Sequence, residues 1–148
     1  MEYLILCIGN REGGDDAVGP FVADKLKKCN CKDTFILDCG TIPENYTLIV
    51  KKHDPKNLVI IDCVEMGLNP GEIRIVPKEK IGVMHISTHG IPLSVLINYL
   101  EQYLKNIILI GIQPKTITGV MSKQVRKSCE QLVKILKNKN FDQIKTLL

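Results

Sequence analysis

Apolar and polar positions along this chain follow two periods, and the switches between them mark out its elements. Residues 2–8 form an apolar run that predicts a buried strand. Residues 16–28 then place Val18, Phe21, Val22, Ala23 and Leu26 on one helical face. Pro20 falls in the first turn, where its missing N–H costs little, and Lys25, Lys27 and Lys28 suit the negative end of the helix dipole. Residues 35–39 predict a second strand, ended by Gly40, and Pro43 opens a helix running to about residue 52. Residues 58–64 are a nearly unbroken apolar run, typical of a strand covered on both faces.

Asn69-Pro70-Gly71 is a strong turn signal, and residues 72–76 after it alternate as a short strand. No crossover helix fits before that strand, so it is expected to run antiparallel to the one at 58–64. Residues 78–84 read as a polar connector, 92–105 as a helix and 107–112 as a strand. A basic amphipathic helix over 122–139 turns Val125, Cys129, Leu132, Val133 and Leu136 inward. Helices alternating with strands define a doubly wound α/β sandwich with one short antiparallel strand. Without repeats, low-complexity tracts or linkers, residues 1–148 are expected to form a single domain.

Composition narrows the class. A chain of 148 residues can build a proper core without staples. The first apolar run is too short for a membrane span and lacks a basic leader, so a cytoplasmic location is expected. Cys7, Cys29, Cys31, Cys39, Cys63 and Cys129 sit mostly inside apolar runs without a paired framework, which points to buried thiols in a reducing compartment. From Lys115 onward there are eight Lys/Arg against Glu130 and Asp142. That surplus reads as a solvated helix face, with a docking surface for an acidic partner as the sharper alternative. Few aromatics and no binding motif argue against nucleic acid.

The loop after the first strand carries the chemistry. Gly9 and Gly14 have the spacing of the glycines in a phosphate-binding loop, but the chain continues with Asp15 and Asp16 instead of Lys and Ser/Thr. At roughly 4 Å and an effective dielectric of ~20, each carboxylate facing a phosphate costs about 4 kcal/mol. The loop is suited to a cation. Its glycines are expected to let a metal-bearing peptide approach the main chain closely.

Ligands of open α/β sheets bind beyond the carboxyl ends of the strands. The polar residues there are Glu12, Asp15, Asp16, Asp38, Asp62, Glu65 and His89. Asp62 interrupts a buried strand, so it is either satisfied by backbone N–H groups or meets a cation. Asp16 alone reads as a helix N-cap, and Asp15 and Glu12 as solvated. His89 alone reads as a hydrogen-bonding residue ahead of a helix. Taken together, Asp16, Asp62 and His89 make a mixed nitrogen–oxygen set for a divalent transition metal such as nickel, zinc or iron. His85 and His89 have the spacing of a zinc helix, but the adjoining Glu is missing and Ile86 and Thr88 disfavour helix.

These segments resemble the hydrogenase-maturation endopeptidases over almost the entire chain. The likeness is carried by Cys7-Ile8-Gly9-Asn10 through Gly14-Asp15-Asp16-Ala17-Val18-Gly19-Pro20, and by Asp38-Cys39-Gly40-Thr41-Ile42-Pro43-Glu44-Asn45. It continues in Ile61-Asp62-Cys63-Val64-Glu65-Met66-Gly67-Leu68-Asn69-Pro70-Gly71-Glu72-Ile73-Arg74, in Ser87-Thr88-His89-Gly90-Ile91-Pro92-Leu93 and in Leu109-Ile110-Gly111-Ile112-Gln113-Pro114. The third and fourth segments resemble the branch serving the hydrogenase of formate hydrogenlyase complexes.

The resemblance implies a twisted five-stranded, mostly parallel sheet between two helix layers, acting as a monomer. It implies an aspartic-type, nickel-dependent endopeptidase that removes the C-terminal extension of a nickel-iron hydrogenase large-subunit precursor after nickel insertion. The nickel is then carried by the substrate and absent from the free enzyme, and its contacts fall on Asp16, Asp62 and His89. Cys39 and Cys63 stand where the family usually has Gly and Ala, and strand alternation points Cys63 away from Asp62. A non-hydrolytic nickel chaperone on the same fold is the alternative, expected to bind nickel when free and to leave the precursor length unchanged. A nucleotide- or flavin-binding module is opposed by Asp15 and Asp16.

Overall fold

The computed structural model describes residues 1–82, 85–86 and 90–148, with the side chains of His85 and Ile86 outside the description. His89, with Ser87 and Thr88 before it, therefore lies outside the described residues.

The strands are β1 (Tyr3–Cys7), β2 (Thr34–Asp38), β3 (Asn57–Glu65), β4 (Ile73–Val76), β5 (His85–Ile86) and β6 (Asn106–Ile112). The helices are α1 (Val18–Lys27), α2 (Thr47–His53), α3 (Lys78–Ile81), α4 (Leu93–Leu100) and α5 (Lys123–Asn138). Single 3₁₀ turns at Gly14–Ala17 and Pro43–Tyr46 lead into α1 and α2. The five-stranded path runs β2-β1-β3-β6-β4, parallel throughout except for β4. The alternation at 72–76 therefore does give the antiparallel strand, but its hydrogen-bonding neighbour is β6, not β3. The two-residue β5 adds antiparallel to the end of β3. His85 is thus in a strand, not on a zinc-type helix.

Alternation along β1 and β3 sorts side chains into two cores. Leu4, Leu6, Leu58, Ile60 and Val64 pack with Val50 of α2 and with Leu93, Leu96, Ile97 and Leu100 of α4. Ile5, Cys7, Val59, Ile61 and Cys63 face Val18, Val22 and Leu26 of α1 and Val125, Cys129, Leu132 and Leu136 of α5. Both faces are covered, which is why β3 reads as an unbroken apolar run. Cys63 lies on the α1–α5 side, as alternation predicts. All six cysteines are free, and Cys7, Cys39, Cys63 and Cys129 are buried. Burial pushes the Cys39 and Cys129 thiols up to about 12, far from thiolate character at neutral pH.

Gly19 lets α1 press against the end of β1. A Cβ there would overlap the Ile8 main chain. From β1 the chain goes to β2 on one side and then to β3 on the other. The strand order reverses between β1 and β3, and the crevice at that switch point is where such folds take ligands.

Candidate active site

The loop after β1 is held by its own polar groups. Asp16 Oδ2 accepts the Asn10 N–H at 3.3 Å, and the Asp16 carbonyl accepts the same N–H at 3.1 Å. Asn10 Oδ1 accepts the Glu12 N–H at 3.0 Å. Neither 3₁₀ turn nor α1 has a side-chain cap, so Asp16 does not serve as the N-cap it resembles in isolation. Glu12 is exposed, as expected.

Asp15 corrects the expectation of a solvated carboxylate, because it is fully buried. Its Oδ2 accepts from the Lys115 N–H at 2.8 Å, the Thr116 N–H at 3.1 Å and the Ser122 hydroxyl at 2.9 Å. Its Oδ1 accepts the Ser122 N–H at 2.7 Å. Charge-assisted bonds of this kind satisfy a buried carboxylate without a metal. Asp15 pins the 115–122 segment to the loop, a role that needs residues 100 positions away and leaves no local signal. The glycines serve the same closure. Gly14 adopts φ +61°, and a Cβ on it would lie 2.6 Å from the Thr118 carbonyl oxygen. A Cβ on Gly9 would overlap the Asp16 carbonyl oxygen. The space over these two glycines is filled by the chain's own backbone, not left for a visiting peptide.

Asp62 is 1% exposed near the end of β3. Its Oδ1 accepts the Cys63 N–H at 2.8 Å. Burial drives its carboxyl well above the usual carboxylate range. The Cys63 N–H opposes this, and the negative charge of Asp16 adds to the rise. Asp16, 3% exposed, comes from the loop after β1, so two buried acids from adjacent strand ends meet at the switch point. Ionising both is costly unless a cation lies between them.

The neighbouring charges are already engaged. Arg11 donates to both Asp24 oxygens at 2.8 and 3.0 Å and to Asp38 Oδ2 at 2.6 Å. Its hydrogen bonds hold Asp24 below the usual carboxylate range. Glu65 Oε2 accepts from Gln113 Nε2 at 2.7 Å and from the Gly67 N–H at 2.9 Å. Gln113 is itself 3% exposed, and its Oε1 accepts the Met66 and Leu68 N–H groups at 2.7 and 3.2 Å. It latches the loop after β3 to the end of β6. Arg11 and Gln113 were not singled out by sequence reasoning. The available signal for Gln113 was a polar residue closing an apolar strand before Pro114. His89 lies outside the described residues, but Gly90 after it packs on the Glu44 carboxylate, which would have to swing aside for a Cβ. A groove of about 320 Å³ beside the loop is lined by Arg11, Pro20, Phe21, Asp24, Val120 and Arg126.

Fold and site together define a class: a doubly wound α/β protein with two buried acids at its switch point. A model of the family described as hydrogenase maturation protease, HycI, matches residues 20–139. The chain is 38% identical over 118 residues to the hydrogenase 3 maturation protease of Escherichia coli K12, covering 79% of this chain and 76% of that one. It is 37% identical over 145 residues to a putative hydrogenase maturation protease of Methanocaldococcus jannaschii, covering 91% and 86%. A crystal structure of the hydrogenase 3 maturation protease superposes with a TM-score of 0.92 at 31% identity, covering 100% and 97%. That of a [NiFe] hydrogenase maturation protease HycI from Thermococcus kodakarensis KOD1 gives 0.83 at 32% identity, covering 93% and 90%. The chain belongs to the hydrogenase maturation protease family, and its activity is that of an endopeptidase, a hydrolase of peptide bonds. Among the described residues no helix is long and apolar enough to cross a membrane.

Proposed function

We propose that this endopeptidase removes the C-terminal extension of a nickel-iron hydrogenase large-subunit precursor, and cuts only after nickel has been inserted. Asp16, Asp62 and His89 contact the nickel that the substrate carries. The observation that supports this reading is the pair of buried acids at the switch point, where Asp62 is held toward its neutral form by burial and by the charge of Asp16. Such a pair resists ionisation until a cation arrives, so a precursor without nickel leaves the site unformed. An arriving nickel ion is a Lewis acid for the carbonyl to be cut, and a carboxylate of the pair acts as general base for the attacking water. Water adds OH to the carbonyl carbon, the C–N bond breaks, and the proton that the carboxylate took from the water goes to the leaving nitrogen. Aspartic-type chemistry of this kind needs no Ser or Cys nucleophile, and the buried thiols Cys7, Cys39 and Cys63 are held protonated.

Nickel-loaded and nickel-free precursor are incubated with the enzyme in parallel, and the chain shortening is followed by mass spectrometry. Cleavage is expected for the loaded form alone. Equal cleavage of both forms removes the nickel gate. Nickel taken up by the free protein, with a precursor of unchanged length, replaces the protease by a chaperone.

A further inference from the structure

One flank of the molecule carries more apolar surface than its core requires. Among the described residues, seven of the eleven exposed large hydrophobic side chains fall within 42–49 and 91–103. These two segments lie side by side. At one end the Glu44 carboxylate packs on Gly90. At the other, Lys51 Nζ donates to the Tyr99 hydroxyl at 2.7 Å and lies 4.6 Å from the centre of the Tyr103 ring. Val95 and Tyr99 lie four residues apart on one face of α4, Ile91 stands two residues before the helix, and Tyr103 after it packs on Tyr99 with ring centres 5.4 Å apart. Leu48, 73% exposed, stands about one turn before Lys51 on α2.

The core does not account for this stripe, because α4 already buries Leu93, Leu96, Ile97 and Leu100 against the sheet. A helix with a second apolar face on the solvent side marks a surface that meets a partner. The stripe starts beside the loop after β1: the Gly40 carbonyl, two residues before Ile42, accepts the Gly9 N–H at 2.8 Å. Ile42 and Ile91 flank the Glu44–Gly90 contact. From there α4 carries it along the flank for about 10 Å, at 1.5 Å per residue from Leu93 to Leu100.

We infer that the α2–α4 flank docks the folded body of the precursor while the segment to be cut enters the site; this rests on the processing function proposed above. A peptide bond held near nickel inside a folded body reaches the strand ends only if that body lies against a rim of the site. The flank is such a rim, and it is apolar and tyrosine-rich, the composition that carries protein–protein contacts. Tyrosines provide large contact area while keeping the hydroxyl paired, as Lys51 does for Tyr99. The other helix layer presents α5, whose exposed Lys123, Arg126, Lys127, Lys134 and Lys137 are of the opposite character.

The test measures binding of nickel-loaded precursor by titration calorimetry, using Asp62→Asn enzyme so that the substrate stays intact. Adding Leu48→Asp and Val95→Asp is expected to weaken binding about tenfold or more, whereas Leu148→Asp is expected to leave it unchanged. With Asp62 restored, the double exchange is expected to raise KM for cleavage and keep kcat. Circular dichroism checks that each variant is folded, and Val95→Asp alone gives a smaller loss in the same direction. Unchanged affinity in a folded double variant overturns the docking surface and leaves the protease reading in place. Loss of affinity on the double exchange, with a wild-type enzyme that cuts nothing, keeps the docking surface and removes the protease reading. A wild-type dimer that the double exchange turns into monomer, with precursor affinity unchanged, assigns the stripe to a second copy of this chain and overturns the inference.

Discussion

Asp15 and Asp16 are adjacent, both buried, and do different things. Asp15 is surrounded by three backbone N–H groups and a hydroxyl, so it is a satisfied structural anion. Asp15→Asn would aim a donor at those donors, and a cost of about 2–3 kcal/mol is expected from the broken charge-assisted bonds. Urea unfolding of the variant at neutral pH measures it. Asp16 and Asp62 instead face each other's charge at the switch point. Asp62→Asn removes a buried acid that is costly to ionise, so the free protein is expected to gain about 1 kcal/mol of stability, the scale of single stabilising changes, while cleavage is lost. A variant that keeps full cleavage takes Asp62 out of the site. From sequence, the pair of adjacent acids was visible but its division of labour was not, because Asp15's partners come from 115–122.

At the scale of elements, the site depends on how closely α1 and the loop before it approach their neighbours. Gly19 is helical, and alanine is the better helix former by about 1 kcal/mol. Its Cβ would nevertheless strike the Ile8 main chain, which cannot swing aside as a flexible side chain does. Gly19→Ala is therefore expected to destabilise by about 1–3 kcal/mol through overpacking, read as a lower melting temperature. A rise in melting temperature would show that α1 can shift away from β1 freely. Periodicity located α1, α5 and β3 to within a residue or two, since long runs with one period carry most of the signal. It missed α3, a single turn at Lys78–Ile81, and the two-residue β5, which exists only because the end of β3 offers an edge.

For the whole molecule, two groups of carboxylates pull stability in opposite directions with pH. Folded Asp62 keeps its proton where the unfolded chain has lost it. Stability is therefore expected to rise as pH falls through Asp62's raised pKa, a gain that ends near the unfolded value of about 3.9. Asp24 is held low by Arg11, so its contribution is present above about pH 4 and is lost as pH falls through its folded pKa. That term is small, under about 1 kcal/mol, because both partners are about half exposed. Chemical denaturation across pH is expected to place maximum stability on the acid side of neutrality, and Asp62→Asn is expected to flatten the limb above it. A steady loss of stability from pH 7 to 5 would show that Asp62 is not held protonated. The sequence by itself determined the α/β alternation, the antiparallel strand, the family and the two acids, because hydrophobic period and local motif are properties of neighbouring residues. Only the tertiary structure decided that β4 pairs with β6, that Asp15 is an anchor, that Arg11 bridges Asp24 and Asp38, that Gln113 latches the loop after β3, and that α2 and α4 expose one apolar flank. Each of those depends on groups far apart in the chain, and a separation of that size leaves no period to read.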